Sequence, residues 1–84
     1  MASVEERVIA AAARVLRIDA AEIKPEHNFS VDLGAESVQS IELVASFEEE
    51  FGIDMDEDAA LAVHTVSGAA EFITGVCKEQ GIEV

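Results

Sequence analysis

Three stretches of this 84-residue chain place apolar residues every three or four positions, and no stretch of useful length alternates at every second one. That spacing constrains the fold more than any other feature. It gathers the apolar side chains of each stretch into a helical stripe, and a 3.6-residue period cannot be laid down as a sheet. In the first stretch Val4, Val8, Ala11, Val15 and Ile18 form the stripe. Ser3 and Glu6 have the S-x-x-E spacing of a capping box, and Arg14 and Arg17 suit the negative pole at the far end, so a helix over about 3–17 is expected. In the second, Ser40, Leu43, Val44, Phe47 and Phe51 share a face, with Ile41 at its margin and Ser40 as its one polar member; Glu42, Glu49 and Glu50 point the other way. Gly52 is a natural C-terminal stop, which gives a helix over about 37–51. The third stripe is Val66, Ala69 or Ala70, Ile73, and Val76 or Cys77, on a helix over Val66–Glu79 capped by Thr65. Before it, Asp56 is the expected N-cap of a short helix near Glu57–Ala62.

Helical periodicity fades from Ile18 to Glu36, where Pro25, Asn28 and Gly34 punctuate the chain. A connection of that length is functional or crosses the structure to join distant helix ends. Ile23, Phe29 and Leu33 are its expected anchors, with a short turn near Ala20–Ile23. The expected architecture is all-α: a four-helix bundle of three longer helices and one short one with a long first loop, built as a single domain over residues 1–84.

Charge narrows the partners. The chain has 18 acidic and 5 basic residues, a net of −13, and between Lys24 and Lys78 there are 12 Asp and Glu but no Lys or Arg. Such a surface repels phosphate backbones and anionic headgroups, which argues against nucleic acid and membrane and for basic proteins. No apolar run approaches the roughly 18 residues of a membrane span. The start of the chain lacks the basic segment and apolar block of a secretory signal, and one cysteine, Cys77, cannot close an internal disulfide. A soluble, monomeric, cytoplasmic protein is expected.

Several chemistries fail on spacing. Asp54, Asp56 and Asp58 alternate as an EF-hand loop begins, but the positions that require Gly and Glu hold Ala59 and Thr65. One Cys and two scattered His supply no metal-ligand spacing. Ser37 lies in Gly-Ala-Glu-Ser-Val rather than G-x-S-x-G, and His27 and His64 read as surface or packing residues rather than bases, so no hydrolytic triad is expected and the chain is not read as an enzyme. Cys77 lies on an apolar stripe as a small core residue. Ser37 opens the second helix, where unpaired amides and partial positive charge tolerate a phosphate. Position alone favours a plainer reading, a serine that starts a helix.

Further residues carry a resemblance. Phe29-Ser30-Val31-Asp32-Leu33-Gly34-Ala35-Glu36-Ser37-Val38 is similar to the F-x-x-D-L-G-x-D-S-L signature of acyl carrier proteins, and "IELVASFEEEFGID" resembles the acidic helix that follows it. The Val-Glu-Glu-Arg-Val start and the Thr-Val entry to the last helix agree too, and the likeness runs without a gap from Phe29 to Ile73. The resemblance implies that Ser37 receives a 4′-phosphopantetheine arm from coenzyme A through a phosphopantetheinyl transferase. The arm would hold acyl groups as thioesters for basic-surfaced synthases and transferases of fatty-acid or related lipid biosynthesis. Glu36, Val38, Ile41, Glu42, Ala45, Glu48 and Glu49 would form the docking face, an apolar centre with an acidic rim. Phe29, Leu33, Val44, Phe47, Met55 and Val63 match positions around the family's acyl pocket. Three residues depart from the pattern: Glu36 for Asp, Val38 for Leu, and Phe47 for a smaller aliphatic, the last expected to narrow the pocket toward short or atypical cargo. A polyketide or aminoacyl carrier, and an unmodified acidic helical interaction module, stay open as alternatives at this point.

Overall fold

The computed structural model describes residues 2–84. Four α-helices follow one another: α1 (Val4–Leu16), α2 (Ser37–Phe51), α3 (Glu57–Leu61) and α4 (Val66–Glu79), with a single 3-10 turn at Ala20–Glu22 inside the first connection. The described residues hold no strand, only an isolated bridge between Asn28 and Thr65.

α1, α3 and α4 each begin where a side chain takes up an orphan amide. Ser3 Oγ accepts the Glu6 N–H at 3.1 Å and Glu6 Oε1 accepts the Ser3 N–H at 3.0 Å. The Ser3 N–H, and then its hydroxyl, hold the Glu6 carboxyl below its ordinary pKa. Asp56 and Thr65 cap α3 and α4 by accepting from Ala59 N–H and Gly68 N–H, both at 3.1 Å. α1 ends at Arg17 and α2 at Gly52, both left-handed, with φ of 57° and 65°. α3 ends at Leu61, one residue earlier than the sequence suggests, because Ala62 is its C-cap.

α1 packs against both α2 and α4, and the core forms where the three meet. Val8, Ala11, Ala12 and Leu16 of α1 are buried there with Leu43, Phe47 and Phe51 of α2 and Val66, Ala69, Ala70, Ile73 and Cys77 of α4. Burial raises the pKa of the Cys77 thiol, and the nearby Arg7 charge offsets only part of the rise. The buried face of α1 is wider than the expected stripe. Val15 is only half-buried, while Ala12 and Leu16 go inside, because α1 covers two helices rather than one.

The side of α2 that carries Glu50 also departs from expectation. Glu50 does not point to solvent but is half-buried against α1. Arg7 Nε donates to Glu50 Oε2 at 3.0 Å and Arg7 Nη2 donates to the Glu50 carbonyl at 2.8 Å, while Arg14 Nη2 lies 3.5 Å from Glu50 Oε1. The Arg7 guanidinium also sits 4.3 Å from the centroid of the Phe51 ring, within range of a cation–π contact. These are the two ion pairs among the described residues, and both use Glu50. The other α2 carboxylates therefore stay uncompensated.

Candidate functional site

The first connection converges on the start of α2. Asn28 organises its second half: Asn28 Oδ1 accepts the N–H groups of Ser30 and Val31 at 2.9 and 3.0 Å, and Asp32 Oδ2 accepts the Asn28 N–H at 2.7 Å. A side-chain oxygen that mimics a backbone acceptor two or three residues ahead is the usual reason for Asn in a tight turn. Backbone bonds tighten it further, from Gly34 N–H to Ser30 O at 3.1 Å and from Ala35 N–H to Phe29 O at 2.8 Å. Gly34 turns the chain at φ 73°. Phe29 and Ala35 are both buried, so the turn is pinned at each end. It is also tied to α4: Phe29 N–H donates to His64 O at 2.9 Å and Val66 N–H to His27 O at 3.0 Å. His27 Nδ1 accepts the Lys24 N–H at 3.0 Å, which gives this histidine a turn-forming part.

Ser37, the first residue of α2, emerges from this pinned turn. Its side chain is exposed, and among the described residues its hydroxyl has no hydrogen-bond partner. Glu36 and Gln39 stand in capping-box arrangement; Gln39 Oε1 accepts the Glu36 N–H at 3.0 Å, while the Glu36 carboxylate makes no close cap bond. The N–H groups of Ser37 and Val38 have no protein acceptor among the described residues, and the first turn beyond the cap holds no acidic side chain. An oxyanion on the Ser37 oxygen would therefore face unpaired amides and the positive helix pole.

From Ser37 the exposed side of α2 carries Val38 and Ile41, large apolar residues that remain 69% and 52% exposed. Glu36, Glu42, Ala45 and Glu49 are exposed around them. Glu48 differs: it is half-buried, and its Oε2 accepts the Met55 N–H at 2.9 Å, so it clamps the loop after α2. Val31, in the pinned turn, is 82% exposed and adds an apolar residue that the helical pattern could not reveal, since its segment has no period.

Behind this face lies a cavity of about 70 Å³. Phe29, Val44, Phe47 and Val63 are among the residues that line it. Leu33 and Met55 are not. Both pack half-buried against the core, Leu33 within the turn and Met55 in the loop that Glu48 clamps. The lining instead includes Leu43, Ala60, Leu61, Ala69, Phe72 and Ile73, contributed by α2, α3 and α4. The Phe29 and Phe47 rings meet at 6.2 Å between centroids, tilted by 47°, which sets one wall of the space. Polar groups of Asn28, Ser30, Ser40 and His64 complete it. Ser40 lies one turn beyond Ser37; it donates to Glu36 O at 3.3 Å and marks the route from the helix start to the cavity.

A family model described as a phosphopantetheine attachment site matches residues 6–73. The chain belongs to this family of phosphopantetheine carriers. Carrier domains of the family hold a covalent 4′-phosphopantetheine group and are themselves non-catalytic; they meet phosphopantetheinyl transferases and synthases. The residues present here fit a phosphodiester. The matched span contains five serines: Ser30, Ser37, Ser40, Ser46 and Ser67. Ser40, Ser46 and Ser67 are half-buried, and the Ser40 hydroxyl is engaged. Ser30 and Ser37 are exposed, and only Ser37 of the two stands at a helix start with unpaired amides beside its oxygen. The acidic segment 54–58 has a different use, with Asp56 as helix cap and Asp54 joined through its backbone to Gln80. Among the described residues no three His, Cys, Asp or Glu are grouped to hold a metal ion, and no helix is long and apolar enough to cross a membrane.

Proposed function

We propose that this carrier is an acyl carrier protein, a single carrier domain over residues 1–84, and that Ser37 is its attachment residue. The observation that carries the reading is the free, exposed Ser37 hydroxyl at the amide-rich start of α2, within the matched span. In a transferase the Ser37 oxygen loses its proton and attacks the phosphopantetheinyl phosphorus of coenzyme A; the pyrophosphate P–O bond breaks, adenosine 3′,5′-bisphosphate leaves, and the N–H groups of Ser37 and Val38 stabilise the charge of the phosphodiester formed. The arm supplies a thiol on which cargo is held as a thioester. The cargo is an acyl group of fatty-acid or related lipid synthesis, handled in the cytoplasm.

Val38, Ile41 and Ala45 form the apolar centre of the surface that partner enzymes read, and Glu36, Glu42, Glu48 and Glu49 form its acidic rim. Uncompensated carboxylates favour steered encounter with basic enzymes, and the apolar centre supports the docked complex. The apolar cavity favours acyl over aminoacyl cargo, and the Phe29–Phe47 contact limits what is held wholly inside to short chains. Incubation of the purified protein with coenzyme A and a broad-specificity transferase tests the reading. A mass gain of one pantetheinyl phosphate, absent in Ser37→Ala, is expected. A wild-type protein that stays bare, or a Ser37→Ala variant that still gains the mass, overturns it.

A further inference from the structure

We propose that the groove between α3 and α4 is an outer acyl site, which takes the distal hydrocarbon of chains too long for the cavity, with Phe72 as the wall between the two. The proposal rests on the reading that Ser37 carries an acylated arm. On a scale where a water needs about 10–15 Å³, the cavity of about 70 Å³ holds only about five or six small groups. A longer chain that enters past Ser40 runs into α4.

At that end one residue belongs to both spaces. Phe72 lines the cavity and also lines the open groove on the outside of α3 and α4. Beyond Phe72 the floor of the groove is made by Ala59, Gly75 and Val76. Phe72 and Val76 are only half-buried, so each keeps apolar surface open to solvent. A Cβ added at Gly75 would meet no atom within 4 Å, so nothing in the protein packs over this part of α4. The far end of the groove is fixed, because Gln80 Nε2 donates to Asp54 O at 2.6 Å and Gln80 Oε1 accepts the Asp54 N–H at 3.2 Å. The division between the spaces is weakly held: α3 buries none of its five residues, with Ala60 and Leu61 on the cavity side and Ala59 on the groove side. The rim is acidic, with Asp54, Asp56, Glu71 and Glu79. A carboxylate- or phosphate-tipped chain is repelled there, and a neutral, methyl-ended one is accepted. A Phe72 side chain common to both spaces, an unfilled apolar floor and a rim that excludes anions point to the same occupant, the tail of the protein's own cargo.

The test compares hexanoyl and tetradecanoyl forms of the carrier. Each is loaded from the acyl-coenzyme A by a transferase and checked by intact mass, so a failure to load counts against the Ser37 reading and not against the groove. The tetradecanoyl form is expected to shift the amide resonances of Gly75 and Val76, and the hexanoyl form to leave them in place. Gly75→Leu fills the groove where space is open. It should raise the bare and hexanoyl melting temperatures alike, because a mid-helix glycine is replaced by a better helix former, and remove the extra gain that the tetradecanoyl chain confers. The proposal is overturned if tetradecanoyl moves Gly75 and Val76 no more than hexanoyl does, or if Gly75→Leu keeps the full gain. Should Gly75→Leu destabilise the bare protein, the wild-type resonances decide alone.

Discussion

Replacing Phe47 with leucine isolates the wall that sets the size of the cavity. Phe47 is 5% exposed and faces Phe29 at 6.2 Å. Loss of the ring removes an aromatic pair contributing about 0.5–1.5 kcal/mol and about one methylene equivalent of burial, near 0.8 kcal/mol. Phe47→Leu should therefore destabilise the bare protein by about 1.5–2 kcal/mol, given that leucine fills most of the site. For a domain of this size that is a fall in Tm of about 6–16 °C. The space vacated adjoins the cavity, so cargo can enter it. Each methylene newly buried returns about 0.8 kcal/mol, and two or three offset the whole loss. Thermal unfolding by circular dichroism, run on bare, hexanoyl and octanoyl forms of both proteins, reads this directly. Acylation should raise Tm more in Phe47→Leu than in wild type, and the gap between the proteins should shrink as the chain lengthens. An equal rise in both proteins would refute the argument, because the cargo would then not touch the space beside Phe47.

Other consequences can be checked separately. Gly68→Ala adds a Cβ that would lie 2.9 Å from Thr65 Oγ1 and 3.2 Å from Val63 Cγ1; disruption of the α4 cap should outweigh the gain in helix propensity and lower stability by about 1 kcal/mol, read by urea unfolding. Glu50→Gln removes the charge that Arg7 and Arg14 share but keeps the Arg7 bond to the Glu50 carbonyl, so a loss of about 0.5–1 kcal/mol, smaller at high salt, is expected from denaturant titrations at two ionic strengths. Burial raises the pKa of the Cys77 thiol. The native thiol should react slowly with a thiol reagent at mildly alkaline pH and fast once unfolded. Its contribution to stability is fully present below the thiol pKa of the unfolded chain, about 8.5, and falls as pH rises above that value toward the higher folded one. A Cys77→Ala variant should show a shallower alkaline decline.

Local signals in the sequence located the helices well. Ser3, Asp56 and Thr65 each combine a side-chain acceptor with an apolar period that begins just after it, and the helices start where those residues direct. Gly52 ends α2 because its left-handed conformation is open to glycine at little cost. What stayed hidden is non-local. Glu50 reads as solvent-facing on the wheel of α2, yet two arginines of α1 hold it, and no periodicity encodes a partner 43 or 36 residues away. Leu33 and Met55 were assigned to the pocket through a resemblance between sequences, whereas the lining depends on how a turn and a clamped loop settle on the bundle. Phe72 and Leu61 were missed because lining a cavity on one side leaves a residue half-buried, a state that apolar patterning does not separate from ordinary core. Ser37, the proposed attachment residue, stands out in the sequence for the opposite reason: the glycine turn, helix start and following acidic run are all contiguous in the chain.

The brevity of α3 has a consequence for turnover. A helix of five residues with no buried side chain contributes little to the global unfolding free energy and lies far below the length at which a helix holds by itself. Its backbone amides should exchange with deuterium through sub-global opening, well before those of α1, α2 and α4. On the proposed acyl-carrier reading, such a carrier admits and surrenders its cargo by melting one panel while the remaining bundle stays intact, which makes the rate of release and the heat resistance of the scaffold separately adjustable quantities.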